Sequence, residues 1–194
     1  YKKIPSSVFL LACGALLLFM RLPVIVFNRE INPDESQMLS HAISLFQDPV
    51  YWKVADGTTI GPLDIYVLMI PKLLGFPIDY TSGRIVGILC TAGALFFLFK
   101  AIKSFFNETT ARLAILNPLL LLSFTQEFDF VHYSSEQVPV FLLAVLLFLL
   151  AKLYNGNAAP RTYYTLGLIA GMVPFAKLQA VPIAVVMVVM AFWL

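Results

Sequence analysis

Long apolar runs separated by short polar stretches set the pattern of this chain. Residues 4–27 form the first run, long enough as a helix to cross a bilayer core of about 30 Å. Further runs cover 84–99, 113–124, 138–151, 163–175 and 181–194, and each predicts a helix. Residues 61–75 are apolar too, but as a helix they would rise only about 23 Å. Asp64, Pro71 and Lys72 also interrupt them, which predicts a juxtamembrane helix in the outer interface rather than a crossing. Pro174 and Pro182 interrupt the last two runs, and short broken helices line cavities rather than face lipid.

The polar stretch around which the rest is arranged is 32–47, N-P-D-E-S-Q-M-L-S-H-A-I-S-L-F-Q. Asn32 suits an N-cap, Pro33 the first helical position, and Glu35 falls three residues after the cap. A helix begun there puts Met38, Leu39, Ala42, Ile43 and Phe46 on one face and Asp34, Gln37, His41 and Ser44 on another. Acids in a first turn also stabilise a helix through its dipole, by about 0.3–1 kcal/mol, with no chemistry required.

Composition agrees with the runs. Hydrophobic residues make up 60% of the 194 and charged residues only 12%, which excludes an ordinary soluble domain and predicts an integral membrane protein. The chain starts without Met and stops inside an apolar run, so a piece of a longer protein is expected. The first run follows Lys2 and Lys3 like a signal peptide, yet it continues to Phe27 without a small-residue cleavage site. A retained anchor is the expectation. Arg21 near its far end is expected to snorkel to the interface. Cys13 and Cys90 both lie in apolar runs and read as packing residues.

Charge decides the topology. If 61–75 does not cross, Lys100, Lys103, Arg112, Lys152 and Arg161 all fall on the cytoplasmic side with Lys2 and Lys3. Every acid except Glu108 then lies at or near the outer face, and the sequon at Asn107 falls inside. The expected fold is all-α: a polytopic transmembrane helical bundle with external juxtamembrane helices. Residues 1–194 form one module, with a first external loop at 28–82 and a second at 125–136. The loop at 28–60 adds the aromatic pair Tyr51-Trp52, suited to an interface, and a turn at Asp56-Gly57.

Three patches converge on the outer side: Asp34-Glu35 with His41, then Glu127 and Asp129 with His132 and Glu136, and finally Lys177. Such carboxylates can take a proton from a nucleophile or hold a hard cation, and a lysine can bind phosphate as a point charge. Together they suggest transfer from a phosphate-activated donor held in the lipid. The plainer readings are a helix cap for Asp34-Glu35, solvated loop acids for Glu127 and Asp129, and dipole stabilisation for Glu136. His132 beside Tyr133 reads as an interface residue, His41 as a polar-face residue, Asp64 as a helix cap, and Lys177 as a snorkelling side chain.

The ordered set of motifs resembles the N-terminal module of the GT-C integral-membrane glycosyltransferases, closest to the protein O-mannosyltransferase and aminoarabinose-transferase types. The motifs are Pro33-Asp34-Glu35, Gly61-Pro62-Leu63 opening a juxtamembrane helix, Ser82-Gly83-Arg84, Tyr133 to Phe141, and Gly171 to Ala180. The resemblance implies an inverting enzyme that moves a sugar from a polyprenyl-phosphate donor to a protein, lipid or glycan acceptor. It would act on the external or periplasmic face of the plasma (inner) membrane, and no nucleic-acid partner is expected. It implies Asp34 as the base, Glu35 as its acidic neighbour, Glu136 as a supporting acid and Lys177 as the donor-phosphate ligand; Arg84 joins the candidates. A divalent cation such as Mg or Mn, with Glu35 and Glu136 as ligands, is left open. Two positions depart from the pattern: Gly61 stands where the family has a proline, and Glu136 where it commonly has Asp. A transporter or flippase of a lipid-linked or anionic substrate, or a non-catalytic membrane subunit, is the alternative.

Overall fold

A computed structural model describes residues 4–27, 30–55, 60–156 and 159–194. Among these, every regular element is helical. They are α1 (Ser6–Phe27), α2 (Pro33–Gln47), α3 (Tyr51–Val54), α4 (Pro62–Leu68), α5 (Ile70–Leu73) and α6 (Tyr80–Phe105). Then follow α7 (Glu108–Phe124), α8 (Phe128–Val131), α9 (Gln137–Tyr154), α10 (Pro160–Ala176), a 3₁₀ turn at Leu178–Ala180 and α11 (Val181–Trp193). By length and composition α1, α6 and α9 can each cross a membrane, which marks the chain as a membrane protein. Lys2, Lys3 and the turn expected at Asp56-Gly57 lie outside the described residues.

Helices α6 and α9 form the central pair, and glycine lets them approach. A Cβ on Gly87 would sit 2.4 Å from Gln137 Oε1, and one on Gly93 would sit 2.7 Å from the Phe141 ring. Small residues at a helix interface let side chains of the facing helix reach the backbone. One apolar cluster joins Leu142 and Leu146 of α9 to Met38, Leu39 and Leu45 of α2 and to Ile65 and Leu68 of α4. A second packs Cys13 and Leu17 of α1 against Leu95 and Phe99 of α6 and Ile115 and Leu119 of α7. Both cysteines are free; Cys13 is buried in this second cluster and Cys90 packs against the first.

The two ends of the bundle differ in charge. At one end Lys103 donates to Ser6 Oγ at 3.0 Å and to Glu108 at 2.8 Å, while Arg112 pairs with Glu108 and reaches the Ile4 carbonyl. Asn155, just past α9, donates to Ser104 there too. At the opposite end Arg21 does not snorkel outward. It is buried, and it donates to the carbonyls of Leu122 and Thr125, the latter at 3.1 Å. The last carbonyls of a helix lack intrahelical partners, so a cation from a neighbouring helix is stabilised there.

Residues 61–75 do not form one long helix. They break at Met69 into α4 and α5, each far too short to cross. What fixes α4 is its first residue neighbour, Gly61, whose N–H donates to the Ala176 carbonyl at 2.8 Å. A Cβ on Gly61 would stand 2.1 Å from the Phe175 oxygen and 2.4 Å from the Ala176 oxygen. Proline would both collide and lose the donor, which accounts for glycine at this position. Helix α2 starts as its sequence predicts, with the Asn32 side chain accepting from Asp34 N at 2.9 Å. Its buried stripe is rotated from the expected one: Leu45 is buried, whereas Ile43 and Phe46 are exposed. The rotation follows from Glu35, which lies on the buried side. Tyr51 is likewise buried, its hydroxyl on the Ile60 carbonyl at 2.7 Å, and only Trp52 of that pair is exposed.

Gly61→Ala should lower the thermal unfolding midpoint in detergent, with a destabilisation of about 1–3 kcal/mol typical of overpacking. Gly14→Ala, where nothing lies within 4 Å of the new Cβ, should leave it nearly unchanged.

Candidate functional site

The site is built over one buried ion pair. Glu35 and Arg84 are both almost fully buried. Arg84 Nε donates to Glu35 Oε1 and Oε2 at 3.1 and 3.2 Å, and Nη2 donates to Oε2 at 2.8 Å. The rest of the guanidinium holds the Val24 carbonyl at 2.8 Å and the Glu30 carbonyl at 2.7 Å. Glu35 Oε1 also accepts the Tyr133 N–H at 3.0 Å. One pair therefore ties the end of α1, the start of α2, the start of α6 and the loop before α9. A buried, bidentate arginine–carboxylate pair with its remaining donors satisfied is the arrangement in which burial is tolerated.

His132 lies against this pair, with Nδ1 3.8 Å from Glu35 Oε2, and it is buried rather than interfacial. Burial, helped by the Arg84 charge, holds its pKa below the usual histidine value; the Glu35 charge opposes this and loses. Gln137 Nε2 donates to the His132 carbonyl at 2.8 Å, and Tyr133 OH donates to the Asp64 carbonyl at 2.8 Å. Tyr133 is itself wholly buried, which drives its phenol well above its ordinary pKa.

From Tyr133 the chain runs directly into the polar cluster. Lys177, at the end of α10, donates to Ser135 Oγ at 2.7 Å and pairs with Glu136, the residue that opens α9. The lysine side chain is only 16% exposed and the Glu136 side chain 58%, so the cation is the buried member of the pair and the carboxylate the solvent-facing one. Burial raises the Glu136 pKa, but the hydrogen bond and charge of Lys177 outweigh it and hold the group below its ordinary value. Glu136 makes no capping bond to α9; Lys177 takes it instead.

Beside Glu136 a groove of about 640 Å³ opens between α6, α7, α9 and α11. Its walls are apolar, with Leu95, Leu122 and Val140 among them. Asp129, Ser134, Glu136 and Gln137 supply its polar lining.

The sequence-predicted residues fall into three groups. Glu136 and Lys177 meet, and Asp129 shares the groove with Glu136. Glu35, Arg84 and His132 form the buried support. Asp34 stands exposed at the head of α2, one residue from that support, and its carboxylate has no hydrogen-bond or ion-pair partner among the described residues. Glu127 is exposed, and His41 is half-buried on α2 with its Nδ1 unpartnered among the described residues.

Asp64 was read as a cap and is instead a buried carboxyl, fully enclosed, with neither oxygen accepting a hydrogen bond from a described residue. Burial pushes its pKa up to about 8, against the lowering charge of Lys177 and with the raising charge of Glu136. Its signal in the sequence is spacing: 64, 65 and 68 share the apolar side of α4.

Both acids left open as cation ligands are already engaged. Glu35 already accepts from Arg84 and Tyr133, Glu136 is paired with Lys177, and no three metal-ligating side chains gather among the described residues. Comparison with family models, curated proteins and solved structures finds no match.

Removing one member of a buried pair strands the other charge, at about 3–5 kcal/mol. Arg84→Ala and Glu35→Ala should therefore each lower the unfolding midpoint strongly and to a similar degree. Glu127→Ala, on an exposed loop acid, should not.

Proposed function

We propose that the chain is the N-terminal membrane module of a glycosyltransferase of the GT-C kind. It takes a sugar from a polyprenyl-phosphate donor and places it on a protein, lipid or glycan acceptor. The observation that carries this reading is a largely buried lysine paired with Glu136, a carboxylate that lines the polar end of a mostly apolar groove. An anionic headgroup on an apolar tail is the ligand chemistry such a place accepts.

In this reading α7, α10 and α11 cross the membrane with α1, α6 and α9, and the acidic end faces outward. The basic end, with Lys103 and Arg112, then lies on the cytoplasmic side, as the positive-inside rule asks. The donor's isoprenoid tail lies along Leu95 and Val140, and its phosphate reaches Lys177 as Glu136 swings aside. Asp34, exposed and unpaired, accepts the proton of the acceptor's hydroxyl or amine as that atom attacks the anomeric carbon. The anomeric C–O bond to phosphate breaks as the new bond forms, and Lys177 stabilises the charge left on the phosphate. One displacement inverts the anomeric centre. Glu35 does not touch substrate here; with Arg84 it positions the α2 head and the 132–136 segment.

The test is sugar transfer from a panel of polyprenyl-phosphate sugars in membranes carrying the full protein at matched levels. Asp34→Asn should lower the rate by about 10²-fold or more, the range of a lost general base. Lys177→Ala should lower it comparably, by loss of a leaving-group contact. Transfer by Asp34→Asn at the wild-type rate would reduce Asp34 to a helix cap.

A further inference from the structure

The proposed chemistry makes no use of Asp64, yet this carboxyl lies in the electrostatic reach of the groups that serve it. Three contacts set it there. The Gly61 N–H on the Ala176 carbonyl ties the start of α4 to the residue before Lys177. The Tyr133 hydroxyl holds the Asp64 carbonyl from the segment that continues to Ser135 and Glu136. Ile65 and Leu68 bury the rest of that face of α4. The result is an enclosed carboxyl, its two oxygens unpartnered among the described residues, within the field of a lysine paired with an exposed carboxylate.

The groups facing Asp64 can be named element by element. Lys177 comes from the end of α10, Glu136 from the start of α9, the Cys90 thiol from α6 and the Tyr133 ring from the loop. Helix α2 also packs on α4 but commits its Glu35 to Arg84. Among the described residues Lys177 is thus the cation that acts on Asp64, and any change in what neutralises Lys177 is felt by it. A buried carboxyl without donors is stable only as the neutral acid.

We propose that Asp64, Lys177 and Glu136 form a proton-linked anion site, in which a phosphodiester headgroup bound at Lys177 is matched by a proton held on Asp64. The proposal rests on the reading of Lys177 as the donor-phosphate ligand. The phosphodiester brings its negative charge while the Glu136 carboxylate, turned from Lys177, remains in the site. The added charge disfavours the Asp64 carboxylate, so the complex holds the proton to higher pH than the free protein does. By linkage, binding is tight where Asp64 is already protonated and weakens as pH rises through its titration. A donor bound this way sits in a site of lower net charge, with the ionised carboxylate kept away from the leaving phosphate.

The sign for stability follows from the same group. Its folded pKa of about 8 stands above the ordinary value of 3.8, so the folded state binds the extra proton between them. That contribution is complete below the ordinary value and is lost as pH rises through the folded one.

The experiment is thermal unfolding in detergent across this pH range, with and without dioctyl phosphate, a phosphodiester whose charge is constant there. Wild type should lose stability as pH rises and Asp64→Asn should lack that slope. Glu136→Gln should move the transition to lower pH, and Lys177→Gln to higher pH. Dioctyl phosphate should stabilise wild type several-fold more, read as apparent affinity, on the acid side of the transition than on the alkaline side. It should stabilise Asp64→Asn equally at all pH values. A wild-type slope retained in Asp64→Asn, a ligand effect identical in the two proteins at every pH, or no ligand effect at all would each overturn the proposal. None of these outcomes touches sugar transfer, which the Asp34→Asn assay reads separately.

Discussion

The buried pair of Glu35 and Arg84 is the constraint on which the acidic end of this protein depends. Placing two charges where water cannot reach them is unfavourable unless each finds full compensation. Here the guanidinium meets both carboxylate oxygens and two backbone carbonyls, and the carboxylate meets a backbone N–H as well. Satisfying that list demands that α1, α2, α6 and the loop before α9 arrive together. Their arrival sets the rotation of α2, leaves Asp34 exposed beside the pair, and delivers Ser135 and Glu136 to Lys177. The bond from Gly61 to Ala176 adds α4 to the same assembly and brings Asp64 with it.

The division of labour among the acids follows from how each is compensated. Glu35 is balanced by a buried arginine and is structural. Glu136 is balanced by a lysine that a ligand can compete for, so it is displaceable. Asp64 has no donor among the described residues, and its burial favours the protonated form. Asp34 is exposed and its carboxylate has no partner among the described residues, which is why the proposed function makes it the proton acceptor. Four acids at one end of a helical bundle thus occupy four distinct electrostatic states, and burial and pairing decide which is which.

Much of the fold was legible in the sequence, because helix length, capping and apolar runs are local properties. The Asn32-Pro33 start of α2 was readable in this way, and so was the shortness of residues 61–75, though not their break at Met69 into two helices. The pairing of charges was not. Glu35 and Arg84 are 49 residues apart, and an acid three residues after an N-cap has a sufficient local explanation in the helix dipole. Arg21 looked like a snorkelling residue because its partners are carbonyls of α7, which carry no side-chain signal. Asp64 looked like a cap because a first-turn acid is one by default, and its enclosure depends on α2, α6 and α10 packing on α4 and on the loop at Tyr133. Gly61 was legible only as a departure; the backbone of Phe175 and Ala176 supplies the reason.

The central claim is that the polar end of the groove holds a lipid-linked phosphate against Lys177, and photo-crosslinking tests it most directly. A polyprenyl phosphate carrying a diazirine on the isoprene next to the phosphate would be irradiated with the protein in membranes. The labelled residues would then be mapped in wild type and in Lys177→Ala. Label concentrated at 134–140 and at the start of α11, and lost in the variant, is the predicted result. Label spread along the lipid-facing helices, or undiminished in Lys177→Ala, would contradict the account.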